Sequence, residues 1–178
     1  MPDPLKRYWD STSFLAWIKG EVNRADTCES IIQDAREGRC LIYSSTITLT
    51  EVTKTRRGSV QVGNDVEERI TQFFQNDYIV LIPVSHAIAT RARRLIWDFP
   101  FLGPRDAIHL ATAIEAGVSV VEHYDDDDFG RVARQVAEQQ LPGFPEIRHP
   151  KWIGQLVLPE SQAVPDQSAN AKGPPADS

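Results

Sequence analysis

Residues 103–129, GPRDAIHLATAIEAGVSVVEHYDDDDF, decide how the rest of the chain is read. Gly103 and Pro104 break what precedes them, and Pro is at home in a first helical turn, where its missing N–H costs nothing. Ala107, Leu110, Ala111 and Ile114 then fall at i, i+3, i+4 and i+7, the apolar stripe of an amphipathic helix. Gly117 is the expected stop. Val118, Val120 and Val121 make a short β-branched strand, which runs into Asp125, Asp126, Asp127 and Asp128.

If that strand lies in a parallel sheet, the aspartate run sits just past its carboxyl end, with Asp106 in a first helical turn. Open α/β sheets bind their ligands at that edge. Carboxylates gathered there from separate elements repel by about 4 kcal/mol per close pair at an effective dielectric near 20. A divalent cation removes that penalty, so the pattern suggests a hard-metal site with oxygen ligands. Taken singly, the run also reads as a solvated loop, and Asp106 as a helix-start charge favoured by the dipole.

A length of 178 residues fits one domain with a real core, and 41% hydrophobic with 25% charged residues is ordinary globular composition. We expect the domain to occupy residues 1–158. From Pro159 the chain holds almost nothing apolar to bury, so residues 159–178 are expected to be a disordered tail. No apolar stretch approaches the length of a membrane span, and the N-terminus lacks the charged-then-apolar pattern of a secretory leader. Cys28 and Cys40 lie in no CxxC or Cys/His spacing, so a cytoplasmic protein is expected. A net charge of −6 argues against a general polyanion binder. Two basic knots, Lys54 with Arg56 and Arg57, and Arg91 with Arg93 and Arg94, soften that objection as candidate nucleic-acid contacts, although each also reads as a solvated helix face.

Taken in order, Leu5, Tyr8 and Trp9 suggest a first strand, and Asp10 to Ser13 a polar corner before a helix through Phe14, Leu15, Trp17 and Ile18. Asp10 therefore stands at a strand end, in the same topological position as the aspartate run; as an N-cap it needs no further role. A helix from Ala25 to Glu37 and a strand Cys40–Tyr43 follow. The next helix carries Glu51 near its start and so points it at the same edge. Asn64 with Glu67 reads as a capping box, residues 78–82 (YIVLI) as the clearest strand, and Ser85 as the cap of a helix to about Trp97. After the aspartates comes a helix through Val132, Val136 and Leu141, with an edge strand either at Ile147 or at Trp152–Leu158. Short apolar strands separated by helices predict an α/β fold, a three-layer α/β/α sandwich with a central, mainly parallel sheet of four to five strands.

Asp10, Glu51, Asp106 and at least one of Asp125 to Asp128 thus converge from four separate places. With these pieces assembled, the chain resembles the PIN-domain nucleases and, among them, the VapC-type ribonuclease toxins. The matching segments are Asp10-Ser11-Thr12, SSTITLTEV with Glu51, RDAIHLATAIEAG with Asp106 and YDDDDF, within roughly residues 4–148. The resemblance implies Mg²⁺- or Mn²⁺-dependent endonucleolytic cleavage of RNA, a small antitoxin protein as partner, and a homodimer as an accessible assembly. It selects Asp126 as the fourth acid, three residues before Phe129, with Asp128 in support. Asp10 and Asp106 are expected to hold the metal, Asp126 to complete its shell or bind a second ion, Glu51 to orient or deprotonate water, and Thr12 to hydrogen-bond a ligating carboxylate. Tyr124 departs from the threonine or serine usual in that family. His109, at i+3 from Asp106, is expected to pack beside the site rather than ligate.

Two other classes stay open. A non-catalytic, receiver-like metal-binding module keeps the acids without turnover. An aspartyl phosphatase needs Asp-x-Asp after the first strand, and here the second position is Thr12. A calcium EF-hand loop is excluded, because Phe129 and Val136 fall on ligand positions when Asp125 is taken as the first.

Overall fold

The computed structural model describes residues 3–53 and 64–154. Lys54, Arg56 and Arg57, the expected tail from 159 onward and most of the Trp152–Leu158 alternative lie outside the described residues. Five strands form one sheet, β1 (Leu5–Trp9), β2 (Cys40–Ser45), β3 (Ile79–Ile82), β4 (Val120–Glu122) and β5 (Glu146–Arg148). Its order is β3-β2-β1-β4-β5, and every neighbouring pair is parallel. The helices between them are α1 (Ser11–Ile18), α2 (Ala25–Arg36), α3 (Thr48–Glu51), α4 (Asn64–Phe74), α5 (His86–Asp98), α6 (Pro104–Glu115) and α7 (Asp128–Gln139).

Strand alternation explains the layers. On β1, Tyr8 turns to one face and Trp9 to the other, and both are fully buried. Tyr8 packs with Ile88, Leu95, Leu110 and Val132 beneath α5, α6 and α7, whereas Trp9 packs with Phe14, Ile31, Phe73 and Phe74 beneath α1, α2 and α4. A sheet covered on both faces suits parallel strands, and crossovers of one hand running first outward and then back put helices on opposite faces. The chain steps from β1 to β2 to β3, then returns to lay β4 on the other side of β1. Strand order therefore reverses between β1 and β4, which opens a crevice beyond their carboxyl ends.

The helix boundaries follow local chemistry. Ser85 Oγ accepts from the Ile88 amide 3.3 Å away at the start of α5. Pro104 occupies the first turn of α6, and Gly117 has φ +63° just beyond its end. The edge strand is Ile147's, not that of 152–154. The helix bearing Glu51 is a single four-residue turn.

The strand after α6 holds a charge where the sequence suggested only valines. Glu122 is fully buried and accepts from Arg7 Nε (2.9 Å), Arg7 Nη2, Trp9 Nε1 (3.0 Å) and the Lys151 amide (3.3 Å). Arg7 Nη2 also donates to the Lys151 carbonyl at 2.7 Å. This pair joins β1 to β4 and fastens the segment after β5. Glu122→Ala leaves the Arg7 guanidinium buried and uncompensated, so we expect a loss of about 3–5 kcal/mol in urea unfolding. Arg7→Met combined with Glu122→Leu should recover most of that loss; a cost near zero for the single variant would contradict the assignment.

Candidate active site

Asp10 is the first residue beyond β1, is 2% exposed, and caps α1. Its Oδ1 accepts from the Ser13 amide at 3.1 Å, and the Thr12 hydroxyl lies 2.7 and 2.9 Å from its two oxygens. Thr12 Oγ1 in turn accepts from the Tyr124 amide at 2.8 Å, so the loop after β4 is tied to the acid after β1. Ser13 Oγ donates to the Glu122 carbonyl at 2.9 Å and closes the same junction. Tyr124 therefore contributes its backbone here. Its hydroxyl faces Cys28 Sγ at 3.8 Å, away from the acids.

Glu51 ends the short turn after β2. Its Oε2 meets His109 Nε2 at 2.8 Å, and its Oε1 lies 3.5 Å from Arg105. The other His109 nitrogen, Nδ1, is 2.8 Å from the Tyr8 hydroxyl. His109 is thus packed beside the site, 1% exposed, as its spacing from Asp106 suggests.

The acidic loop splits in two directions. Asp125 Oδ1 accepts from the amides of Asp127 (2.9 Å) and Asp128 (3.3 Å), which sets the start of α7. Asp128 Oδ2 accepts from the Gly103 amide at 3.2 Å and so faces the start of α6. Gly103 is glycine for room: an added Cβ would stand 3.2 Å from Asp106 Oδ2 and 3.7 Å from Asp128 Oδ2. Asp126 points elsewhere. Its side chain is 71% exposed and paired with His149 Nε2 at 2.6 Å, which holds its carboxyl below the ordinary range. Asp128 meets Asp106 at Gly103, and Asp125 and Asp128 both raise the Asp106 carboxyl.

The electrostatics record the crowding. Burial pushes the Asp106 carboxyl up to about 6, with Asp125 and Asp128 adding to the rise. Asp10 also rises to about 6: burial outweighs His109, Thr12 and the Ser13 amide, which favour the anion. Glu51 behaves oppositely. Burial pushes it up, but the His109 hydrogen bond and nearby Arg105 more than offset this, so it stays below the usual carboxylate range.

Among the described residues, no three His, Cys, Asp or Glu side chains form a ready-made metal-ligating group. The donor chemistry nevertheless fits a hard cation. All the crowded groups are carboxylates, and two of them are driven towards protonation by burial and by one another, the penalty a divalent ion relieves. Neither buried cysteine faces this cluster as a thiolate, since burial raises Cys28 to about 12 and Cys40 to about 11.

The expected basic contacts on α5 are not brought to this edge. Arg91 pairs with Glu115, nine residues beyond Asp106 on α6 and so about 14 Å along the axis at ~1.5 Å per residue. Arg94 pairs with Asp98, and Arg93 lies over the Trp97 ring. Among the described residues, Arg105 brings a cation to the site; it is 73% exposed, and sequence reasoning missed it although it directly precedes Asp106.

A parallel sheet with acids collected at its reversal point defines a carboxylate-lined crevice where open α/β sheets bind their ligands. The chain belongs to the PIN-domain family, whose model matches residues 8–135. Three solved structures share the fold. A toxin–antitoxin complex from Klebsiella pneumoniae is 22% identical, with TM-score 0.55 over 83% of this chain and 99% of that one. The sarcin-ricin-loop-cleaving toxin VapC20 of Mycobacterium tuberculosis is 13% identical, with TM-score 0.53 over 68% and 91%. VapBC2 of Rickettsia felis, bound to a DNA fragment from its promoter, is 12% identical, with TM-score 0.55 over 82% and 98%. No curated protein matches the chain.

The raised acids predict a pH dependence. An acid whose folded pKa exceeds its unfolded value binds protons more readily when folded, so its contribution is fully present below the unfolded pKa and fades as pH rises through the folded one. In metal-free protein the fully buried Asp10 should therefore contribute a loss on the order of 2–3 kcal/mol between about pH 4 and 6, set against His123, whose depressed pKa of about 4 works in the opposite direction over the same window. Asp10→Asn keeps the cap acceptor and should make unfolding at pH 7.5 harder while flattening the profile. Urea midpoints of wild type and variant from pH 4 to 8 isolate the Asp10 contribution as their difference, and a difference that does not change with pH would contradict the assignment.

Proposed function

We propose that the protein is a metal-dependent endoribonuclease, the toxin half of a toxin–antitoxin pair, which cleaves RNA phosphodiester bonds with water. The observation that carries this reading is the crowding of Asp106 with Asp125 and Asp128, beside the buried Asp10, at the reversal point of the sheet. Family membership and three neighbours that are toxins or toxin–antitoxin complexes support it. The partners proposed are an RNA substrate and a small antitoxin protein, with a homodimer as the assembly; no helix among the described residues is long and apolar enough to cross a membrane. Two free, buried cysteines accord with a reducing cytoplasm.

Asp10 and Asp106 would hold Mg²⁺ or Mn²⁺, and Asp128 with Asp125 takes the place expected of Asp126. When bound, such an ion activates a coordinated water and neutralises charge on the phosphate oxygens. The chain's own groups do the rest. Glu51, kept ionised by His109 and Arg105, orients the attacking water from the turn opposite Asp106. Thr12 fixes the Asp10 carboxylate in one orientation by donating to it while accepting from Tyr124. Arg105, exposed at the rim, supplies positive charge where an approaching phosphate would otherwise meet only acids.

Purified protein should cut structured RNA in Mg²⁺, stop in EDTA and resume on added Mg²⁺. Asp10→Asn and Asp106→Asn should each lower the rate at least about a hundredfold, equivalent to about 2.7 kcal/mol of barrier, with the fold intact by circular dichroism. Thr12→Ala should cost about 10–100-fold, as supporting partners of metal ligands do. Equal cleavage by wild type and both aspartate variants would assign the activity to another site, and metal binding without cleavage would favour a regulatory module.

A further inference from the structure

We infer that His109 is the positioning residue for Glu51, held in its Nε2–H form by Tyr8, so that a buried line of hydrogen bonds from β1 through α6 aims the carboxylate of α3; the role rests on the ribonuclease reading above. The line runs from the Tyr8 hydroxyl to His109 Nδ1 at 2.8 Å and from His109 Nε2 to Glu51 Oε2 at 2.8 Å. Tyr8 and His109 are 0% and 1% exposed, and their rings meet edge to face at 5.9 Å.

Proton accounting fixes the direction. An ionised carboxylate only accepts, so Nε2 carries the hydrogen that reaches Glu51. With a single proton on the ring, Nδ1 is bare and accepts from the Tyr8 hydroxyl 2.8 Å away; a ring protonated at both nitrogens would donate to both partners and would overturn the proposal. The opposite tautomer would set two lone pairs against each other at the Glu51 end.

Glu51 needs this anchor because its own element supplies little. The turn Thr48–Glu51 is four residues long, and glutamate carries a flexible side chain whose ordering costs rotamer entropy. Glu51 is also met by the Ser11 side chain and by Arg105 at 3.5 Å, and that arginine is 73% exposed, so the ion pair is worth little against solvent. His109 is the firm, buried partner. It also shares α6 with Asp106 at i+3, so the bond that holds Glu51 sets its position relative to Asp106.

The test uses the full chain. His109→Ala should lower kcat for RNA cleavage about 10–100-fold, as loss of a supporting partner does, with KM changed less than about twofold. His109→Gln places an amide donor where Nε2 stands and should recover activity to within about threefold of wild type. In a Glu51→Ala background, His109→Ala should have no further effect, because both changes remove the same aimed carboxylate. Independently of cleavage, the ¹⁵N spectrum of the metal-free protein should show the His109 ring as the Nε2–H tautomer, and Tyr8→Phe should abolish that preference. Multiplicative losses in the double variant, no recovery with glutamine, or an Nδ1–H tautomer would overturn the proposal. If wild type itself fails to cut RNA, the ribonuclease reading falls, and the tautomer still decides whether Tyr8 and His109 hold Glu51 as stated.

Discussion

Repulsion among carboxylates is the constraint on which the rest of the molecule depends. Asp106 and Asp128 meet at Gly103, and Asp125 and the buried Asp10 add to the negative charge that Asp106 feels. A chain selected for stability alone has no reason to collect them. The fold tolerates the cluster because parallel topology delivers strand ends and helix starts to one edge, and because three of the acids are held by donors from their own surroundings. Asp10 and Asp125 accept from helix-start amides and Asp128 from Gly103. The local donors make the acids affordable without neutralising them.

Behind the edge lies a second charged feature, of opposite character. Arg7 and Glu122 are buried on the adjacent strands β1 and β4 and satisfy each other, with Trp9 and Lys151 as further partners. The Glu122 carbonyl also accepts from Ser13 and, at 3.4 Å, from the Asp10 amide. The pair therefore fixes the register at the reversal point where Asp10 and the acidic loop meet. A buried ion pair is poor evidence for stability but a good device for specifying one arrangement, and the strand junction beneath the site is where one arrangement matters.

Much of the fold was legible because punctuation and periodicity agree. Gly103-Pro104 and Gly117 bracket α6, Ser85 opens α5, and the apolar runs of β2 and β3 are too short for anything but buried strands. Asp10, Glu51 and Asp106 were legible as acids at equivalent ends of successive β-α units. Asp126 was not readable in the same way. Four aspartates in a row are chemically identical, and which of them turns inward depends on where α7 begins and on His149, which pairs with Asp126 from 23 residues further along. The arginines of α5 were misread for a similar reason, since Glu115 reaches Arg91 from the neighbouring helix, a partner that spacing within α5 does not reveal. Glu122 and Arg7 left a faint trace, Glu122 as the charge that ends a valine strand and Arg7 beside Lys6 in β1.

The most direct measurement of the central claim is Mn²⁺ binding to the full chain at pH 7.5, followed by electron paramagnetic resonance of the free ion. Saturable binding that Mg²⁺ displaces, weakened at least about tenfold by Asp106→Asn and unchanged by Asp126→Asn, is the result this arrangement of acids predicts. Binding that ignores Asp106, or that depends on Asp126 alone, would contradict it.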